Sequence, residues 1–183
     1  IGFQISEAIR AHHDVSRAEA RRQAIRMLEQ VRIPMPAERY HSFPHQLSGG
    51  MRQRVMIAMA LACRPKVMLA DEPTTALDVT IQAQVLKLID DLRREAGTSI
   101  VLITHDLVVI AKMAQRVLVM YAGVVVEDAD VRALFAKPLH PYTQGLMHSV
   151  PNVAQLTTGR KRLDPIKATV PNLLDLQPGC RFS

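Results

Sequence analysis

Two short apolar runs, each closing on a polar cluster, set the limits on how this chain folds. Val67-Met-Leu-Ala70 ends in Asp71-Glu72-Pro73, and Ser99-Ile-Val-Leu-Ile103 ends in Thr104-His105-Asp106. Brief runs without alternation read as buried strands. Between them, a helix is expected from about Val79 to Arg94, stopping near Gly97. Two strands, each followed by a helix, predict an α/β fold with parallel pairing and helices on the faces of the sheet. In such open sheets the site lies at the carboxyl ends of the strands, which places both polar clusters on one rim.

The remaining elements follow from caps and breakers. Ser16-Arg-Ala-Glu19 reads as a capping box, and Ala20, Ala24, Met27, Leu28 and Val31 recur at helical spacing up to Pro34. Residues 34–46 hold three prolines with Tyr40 and Phe43, a loop that packs. A helix is expected from Ser48 to about Cys63, stopped by Pro65. Further on come a helix from about Leu107 to Ala114 and a hairpin, Arg116–Tyr121 and Val124–Glu127, turning at Ala122-Gly123. A short helix over Asp130–Ala136 and another near Tyr142–Ser149 complete the pattern, the latter in a tail with six prolines after Lys137.

Composition narrows the class. With 183 residues and 48% hydrophobic content, the chain suits one domain with a small appendage and is too apolar for disorder. Its 2 cysteines cannot form a disulfide scaffold, so a reducing compartment is the default. No stretch approaches the roughly 18 apolar residues of a spanning helix. Ile1-Gly-Phe-Gln4 resembles neither a signal peptide nor a natural start. None of the 8 glycines is followed by lysine, so neither the Gly-x-x-x-x-Gly-Lys phosphate loop nor a Gly-x-Gly-x-x-Gly fingerprint is present.

Three motifs carry chemistry. Asp71 and Glu72 are adjacent acids at a strand end, where burial costs free energy unless a cation or proton compensates. A magnesium–phosphate site supplies that cation, with Asp71 on the metal and Glu72 polarising the attacking water; an acidic helix cap on a solvated rim explains the pair equally well. In Leu47-Ser-Gly-Gly-Met-Arg-Gln-Arg54, Ser48 can cap a helix, while Gly49 and Gly50 leave backbone amides open to an anion. Taken alone, these residues also fit a serine-capped helix with a solvated basic face. His105 can hydrogen-bond a phosphate or serve as a satisfied structural histidine. The other six histidines lack metal-ligand spacing.

In their order and spacing, Leu47-Ser-Gly-Gly-Met-Arg-Gln-Arg54, Leu69-Ala-Asp-Glu-Pro-Thr-Thr-Ala-Leu-Asp78 and Ile103-Thr-His-Asp106 resemble the ATP-binding cassette (ABC) ATPases. The resemblance implies part of a P-loop NTPase domain. Residues 1–64 would be the helical subdomain with the signature motif and 65–136 part of the RecA-like core. Residues 137–183 would be a short C-terminal extension. It implies that Leu47, Ser48, Gly49, Gly50 and Gln53 belong to the signature motif, Asp71 to the Walker B strand with Mg2+, and Asp78 to the D-loop. Glu72 is then the catalytic glutamate and His105 the switch histidine. It further implies a head-to-tail dimer sandwiching two ATP molecules, Ser48 and Gly50 meeting a γ-phosphate held by the opposite subunit.

Asp78-Val-Thr-Ile-Gln-Ala-Gln84 and His140-Pro-Tyr-Thr143 resemble the oligopeptide, dipeptide and nickel importers. That branch implies permease subunits as partners, a substrate-binding protein acting indirectly, and a peripheral place on the cytoplasmic face of the bacterial inner membrane. The helical subdomain would receive the permease's coupling helix. Pro178-Gly-Cys-Arg-Phe182 resembles the start of the branch's C-terminal extension, where some members carry more cysteines for an iron–sulfur cluster; Cys180 alone cannot hold a cluster that wants about four thiolates. Cys63 is expected to pack in the core. Peptides are the expected cargo, with nickel and other small solutes open.

The family's phosphate loop and Q-loop lie upstream of a stretch like Ile1-Gly-Phe-Gln4, so the segment by itself is expected to be inactive and to expose apolar surface and unpaired strand edges. The alternatives are a non-transport ABC ATPase acting on nucleic acid or ribosomes, or an inactive truncated product. The net charge of +6 suits nucleic acid, but the basic residues are mostly spread among acids, and no nucleic-acid partner is expected.

Overall fold

The structure is a computed structural model that describes residues 1–149 and 179–182. The chain divides into two units, Ile1–Ile103 and Thr104–Ser183. The basic run Arg160-Lys-Arg162 lies outside the described residues.

The first unit opens with α1 (Gly2–His12) and α2 (Arg17–Gln30). The first of these is not anticipated from the sequence. Ile5 and Ile9 of α1 are fully buried, as are Ala20, Ala24 and Leu28 of α2, which packs against it. Each fully buried Ile or Leu contributes roughly 1.5–3 kcal/mol. Ser16 caps α2 as expected, its Oγ accepting the Glu19 amide at 3.2 Å. The Glu19 carboxylate, however, accepts from Gln23 at 3.0 Å, from Arg22 and from Arg26 at 3.2 Å on the following turns. Those donors hold its pKa down to about 2, Gln23 most strongly, then Arg22 and Arg26.

One turn of helix, α3 (Pro36–Arg39), and a 3-10 turn (Pro44–Gln46) lead to α4 (Gly49–Leu61). The strand β1 (Val67–Asp71), the helix α5 (Val79–Ala96) and the strand β2 (Ser99–Ile103) follow. Asp78 caps α5 by accepting the Ile81 amide at 2.9 Å. Gly97 closes it in the left-handed region at φ 66, where a residue with a Cβ is strained. Val85, Leu88, Ile89 and Leu92 of α5 are buried.

β1 and β2 pair in parallel, from Val67 opposite Ser99 to Asp71 opposite Ile103. The expected parallel α/β arrangement is therefore present. Burial differs from expectation. Met68 and Ala70 are covered, but Val67 (55%), Leu69 (73%), Val101 (49%) and Ile103 (51%) are exposed. Among the described residues no third strand joins this sheet, and the face that carries Val67, Leu69, Val101 and Ile103 is open.

The second unit holds α6 (Leu107–Met113), a hairpin of β3 (Arg116–Tyr121) and β4 (Val124–Asp130), then α7 (Val131–Ala136) and α8 (Pro141–Ser149). Ala122 and Gly123 turn the hairpin with φ of 47 and 82, a two-residue turn whose twist suits antiparallel strands. Asp130 caps α7 through the Arg132 amide at 2.8 Å. The rings of Tyr121, Tyr142 and Phe182 gather with centroids 4.7–5.7 Å apart. Among the described residues no helix is long and apolar enough to cross a membrane.

Candidate functional site

The start of α4 is shaped by its own sequence. Ser48 sits extended (φ −64, ψ 164), and its Oγ accepts the Met51 amide at 3.3 Å. The Ser48 carbonyl takes the Arg52 amide at 2.9 Å, and the Arg52 guanidinium donates to the Leu47 carbonyl at 2.7 Å. Of the four leading amides, those of Gly49 and Gly50 have no partner among the described residues and remain at an exposed helix N-terminus. Such amides, with the helix dipole behind them, attract anions.

These residues line a cleft of about 590 Å³. Ser48, Gly49, Gly50 and Met51 meet Ala76, Leu77, Asp78 and Ile81 there, with Arg32 and Arg54 adding positive charge. The cleft thus joins four of the sequence-derived residues, Ser48, Gly49, Gly50 and Asp78. Leu47 is buried, Gln53 is partly buried, and neither lines the cleft. Arg32, Arg54 and Ile81 are additions. The sequence shows Arg54 only as one of a basic run, and nothing local marks Ile81.

The acid pair lies at the end of β1. Asp71 and Glu72 are both exposed, so burial exerts no pressure on them to bind a cation in this structure. The Glu72 amide donates to the Ile103 carbonyl of β2 at 2.8 Å, and its carboxylate accepts from the Thr75 hydroxyl at 2.7 Å. Glu72 (φ 42) and Ala76 (φ 62) occupy the left-handed region, which costs residues with a Cβ roughly 1–3 kcal/mol each. Buried Pro73 and Thr74 anchor the loop between them. Among the described residues no three His, Cys, Asp or Glu side chains form a group able to hold a metal. Mg2+ bound through phosphates needs fewer, typically one or two carboxylates plus water, and an exposed Asp71 has that chemistry.

His105 belongs to the second unit and is exposed. It precedes α6, which Asp106 caps by accepting the amides of Val108 at 2.8 Å and Val109 at 3.3 Å. In the same unit Glu127 of β4 accepts the amides of Leu139 at 2.8 Å and His140 at 3.0 Å. His140 Nδ1 accepts the Tyr142 amide at 3.2 Å, and His140 Nε2 lies 3.7 Å from Cys180 Sγ. The His-Pro-Tyr-Thr segment therefore anchors α8 to the hairpin. Cys63 is partly buried, its thiol pushed up by burial and 3.6 Å from the Ala8 carbonyl.

Comparison with known proteins agrees with these motifs. The ABC transporter family model matches residues 3–75, and the model for the oligopeptide/dipeptide transporter C-terminal region matches residues 126–183. A probable peptide ABC transporter ATP-binding protein of Sinorhizobium fredii is 56% identical over the whole chain. A dipeptide transport ATP-binding protein of Escherichia coli is 52% identical over 98% of the chain, and an oligopeptide transport ATP-binding protein of Bacillus subtilis is 52% identical over all of it. The chain spans about half the length of these relatives, 54–55%. A solved ATP-binding cassette, a dimer in a post-hydrolysis state with ADP and phosphate, aligns over 64% of this chain and 50% of its own. It is 35% identical, with a TM-score of 0.56. The chain belongs to the ABC transporter family of ATP-binding proteins, in its oligopeptide/dipeptide branch.

Proposed function

We propose that the protein carrying this chain is the ATP-hydrolysing subunit of a membrane importer for peptides or related small solutes. The observation that carries this is the cleft in which the amide-bearing start of α4 faces the Ala76–Asp78 turn, a few residues beyond the acids that end β1. A phosphate group suits the α4 side, where Ser48 and the amides of Gly49 and Gly50 supply neutral donors. Arg32 and Arg54 add positive potential without occupying that helix end.

Asp71 would hold a Mg2+ ion, directly or through water, and such an ion would supply charge neutralisation for a bound phosphate. Glu72 orients and polarises water, with the Thr75 hydroxyl fixing one carboxylate oxygen. His105 contacts the phosphate. Asp78 caps α5 and lies in the interface with a second ATPase subunit, whose nucleotide is the one that Ser48, Gly49 and Gly50 address. Leu47 seats the signature loop, and Gln53 completes that motif. The permease is the membrane partner, the extracytoplasmic binding protein acts through it, and the ATPase lies on the cytoplasmic membrane face. Residues 1–64, 65–136 and 137–183 serve as helical subdomain, partial core and C-terminal extension.

The test is Glu72→Gln in a full-length protein that carries this chain. Removing the charge that polarises water should lower ATP turnover at least about 100-fold while nucleotide binding persists. Turnover equal to that of the unaltered protein would sink the assignment. The isolated 183-residue chain should show no turnover in the same assay.

A further inference from the structure

We infer that the first turns of α5 are a seat for α4, with Ile81, Gln84 and Arg54 acting as positioning residues for the amides of Gly49 and Gly50. The inference rests on the nucleotide role proposed for those amides. It gives a task to the segment Asp78-Val-Thr-Ile-Gln-Ala-Gln84, of which helix capping needs only Asp78.

Two contacts carry it. Gly50 is the second residue of α4, and a Cβ placed on it would lie 2.7 Å from Cγ2 of Ile81. Carbons do not pack that closely. The obstructing methyl cannot swing away, because Cγ2 branches at Cβ and isoleucine in a helix is held to essentially one χ1 rotamer. A side chain at position 50 therefore pushes the two helices apart. Four residues further along α4, on the same face, the Arg54 guanidinium donates to Gln84 Oε1 at 3.0 Å and to the Val31 carbonyl at 3.3 Å. Gln84 stands three residues after Ile81, again on a shared face. The floor under Gly50 and the strut at Arg54 thus join the same pair of helices, and Val31 ties them to the end of α2.

Gly50 has two possible duties, amide access for an anion and close approach to Ile81, and compensating substitutions separate them. A displacement near 1 Å at a reacting group costs on the order of 100-fold in rate. In a full-length protein carrying this chain, Gly50→Ala should lower kcat about tenfold or more and leave the ATP KM within about twofold, since α4 is misplaced while the nucleotide is held elsewhere. Adding Ile81→Ala should restore kcat to within about threefold of Ile81→Ala alone. Arg54→Met and Gln84→Leu should each lower kcat about three- to tenfold, and their combination no further than the worse single change.

A Gly50→Ala protein with unaltered turnover would overturn the seat, as would a double variant no better than Gly50→Ala. Additive losses at Arg54 and Gln84 would overturn the strut, and this arm stands even if Gly50→Ala fails to fold. Loss of turnover in Glu72→Gln with no effect of the seat variants would sink this inference alone. An unaltered protein without ATP turnover would remove the functional assignment and the seat with it.

Discussion

Replacing Glu127 by glutamine tests whether a single charge holds the His140-Pro-Tyr-Thr143 segment to the hairpin. Both carboxylate oxygens are engaged, one with the Leu139 amide at 2.8 Å and the other with the His140 amide at 3.0 Å. Thr143, one turn into α8, is fully buried. A hydrogen bond to a charged acceptor is worth about 1.5–3 kcal/mol. Glutamine keeps one oxygen but sets an NH2 group against the second amide, so one such bond is lost, about 1.5–3 kcal/mol. With each 1.4 kcal/mol equal to about tenfold in an equilibrium, exchange of the Leu139 and His140 amides should accelerate roughly 10- to 100-fold. The acid response gives a second readout. Burial raises the Glu127 carboxyl, but the hydrogen bonds it accepts from the Leu139 and His140 amides help outweigh that and leave the pKa below its ordinary 4.5. A carboxyl depressed on folding stabilises above its unfolded value, and that contribution fades as pH falls through the lower folded value. Native-state hydrogen exchange measured between neutral pH and the acid range should therefore show an extra loss of protection below 4.5, absent from Glu127→Gln. Unchanged protection of these two amides, or an acid loss that persists in the variant, would refute the reasoning.

Two further outcomes follow from the first unit. Ser16→Ala removes the oxygen that accepts the Glu19 amide and should destabilise the unit by about 1 kcal/mol in denaturant titration, with Ser16→Asp recovering most of it; an unmoved midpoint for the alanine variant would count against the cap. Leu69 and Val101 are register partners exposed on the open sheet face, so the isolated chain should bind an apolar dye, and Leu69→Glu should weaken that binding; no dye signal from the unaltered chain contradicts an open face.

Elements whose start and stop chemistry lies in adjacent residues were legible. Ser16 before α2, Ser48 before α4 and Gly97 after α5 mark boundaries that the structure keeps. α1 escaped because Ile1 offers no side-chain cap and only two of its buried positions, Ile5 and Ile9, are large and apolar. Its partner surface on α2 is partly alanine, Ala20 and Ala24, which the sequence shows as helix formers and not as a seat for another helix. The two strands were legible as strands, and their pairing followed from the helix between them. Their burial was not, because coverage depends on what packs against each face, and among the described residues only the Met68 and Ala70 side of β1 is covered.

The motif order exposed the candidate site, while the contacts that orient it span distances in sequence that no local pattern records. Arg54 reaches Val31 and Gln84, which lie 23 and 30 residues away. Whether those side chains meet depends on how α4 crosses α5, and at that crossing there is no room for a Cβ on Gly50 beside Ile81. A glycine beside a phosphate site invites an account in terms of the phosphate alone. Here the same glycine admits Ile81, whose own amide is held by Asp78. The Ala76–Asp78 turn and the start of α4 therefore share one joint, running from the Asp78 carboxylate through Ile81 to the backbone of Gly50. Moving the turn without moving the amides would require the Ile81 methyl to leave the place that fixes α4.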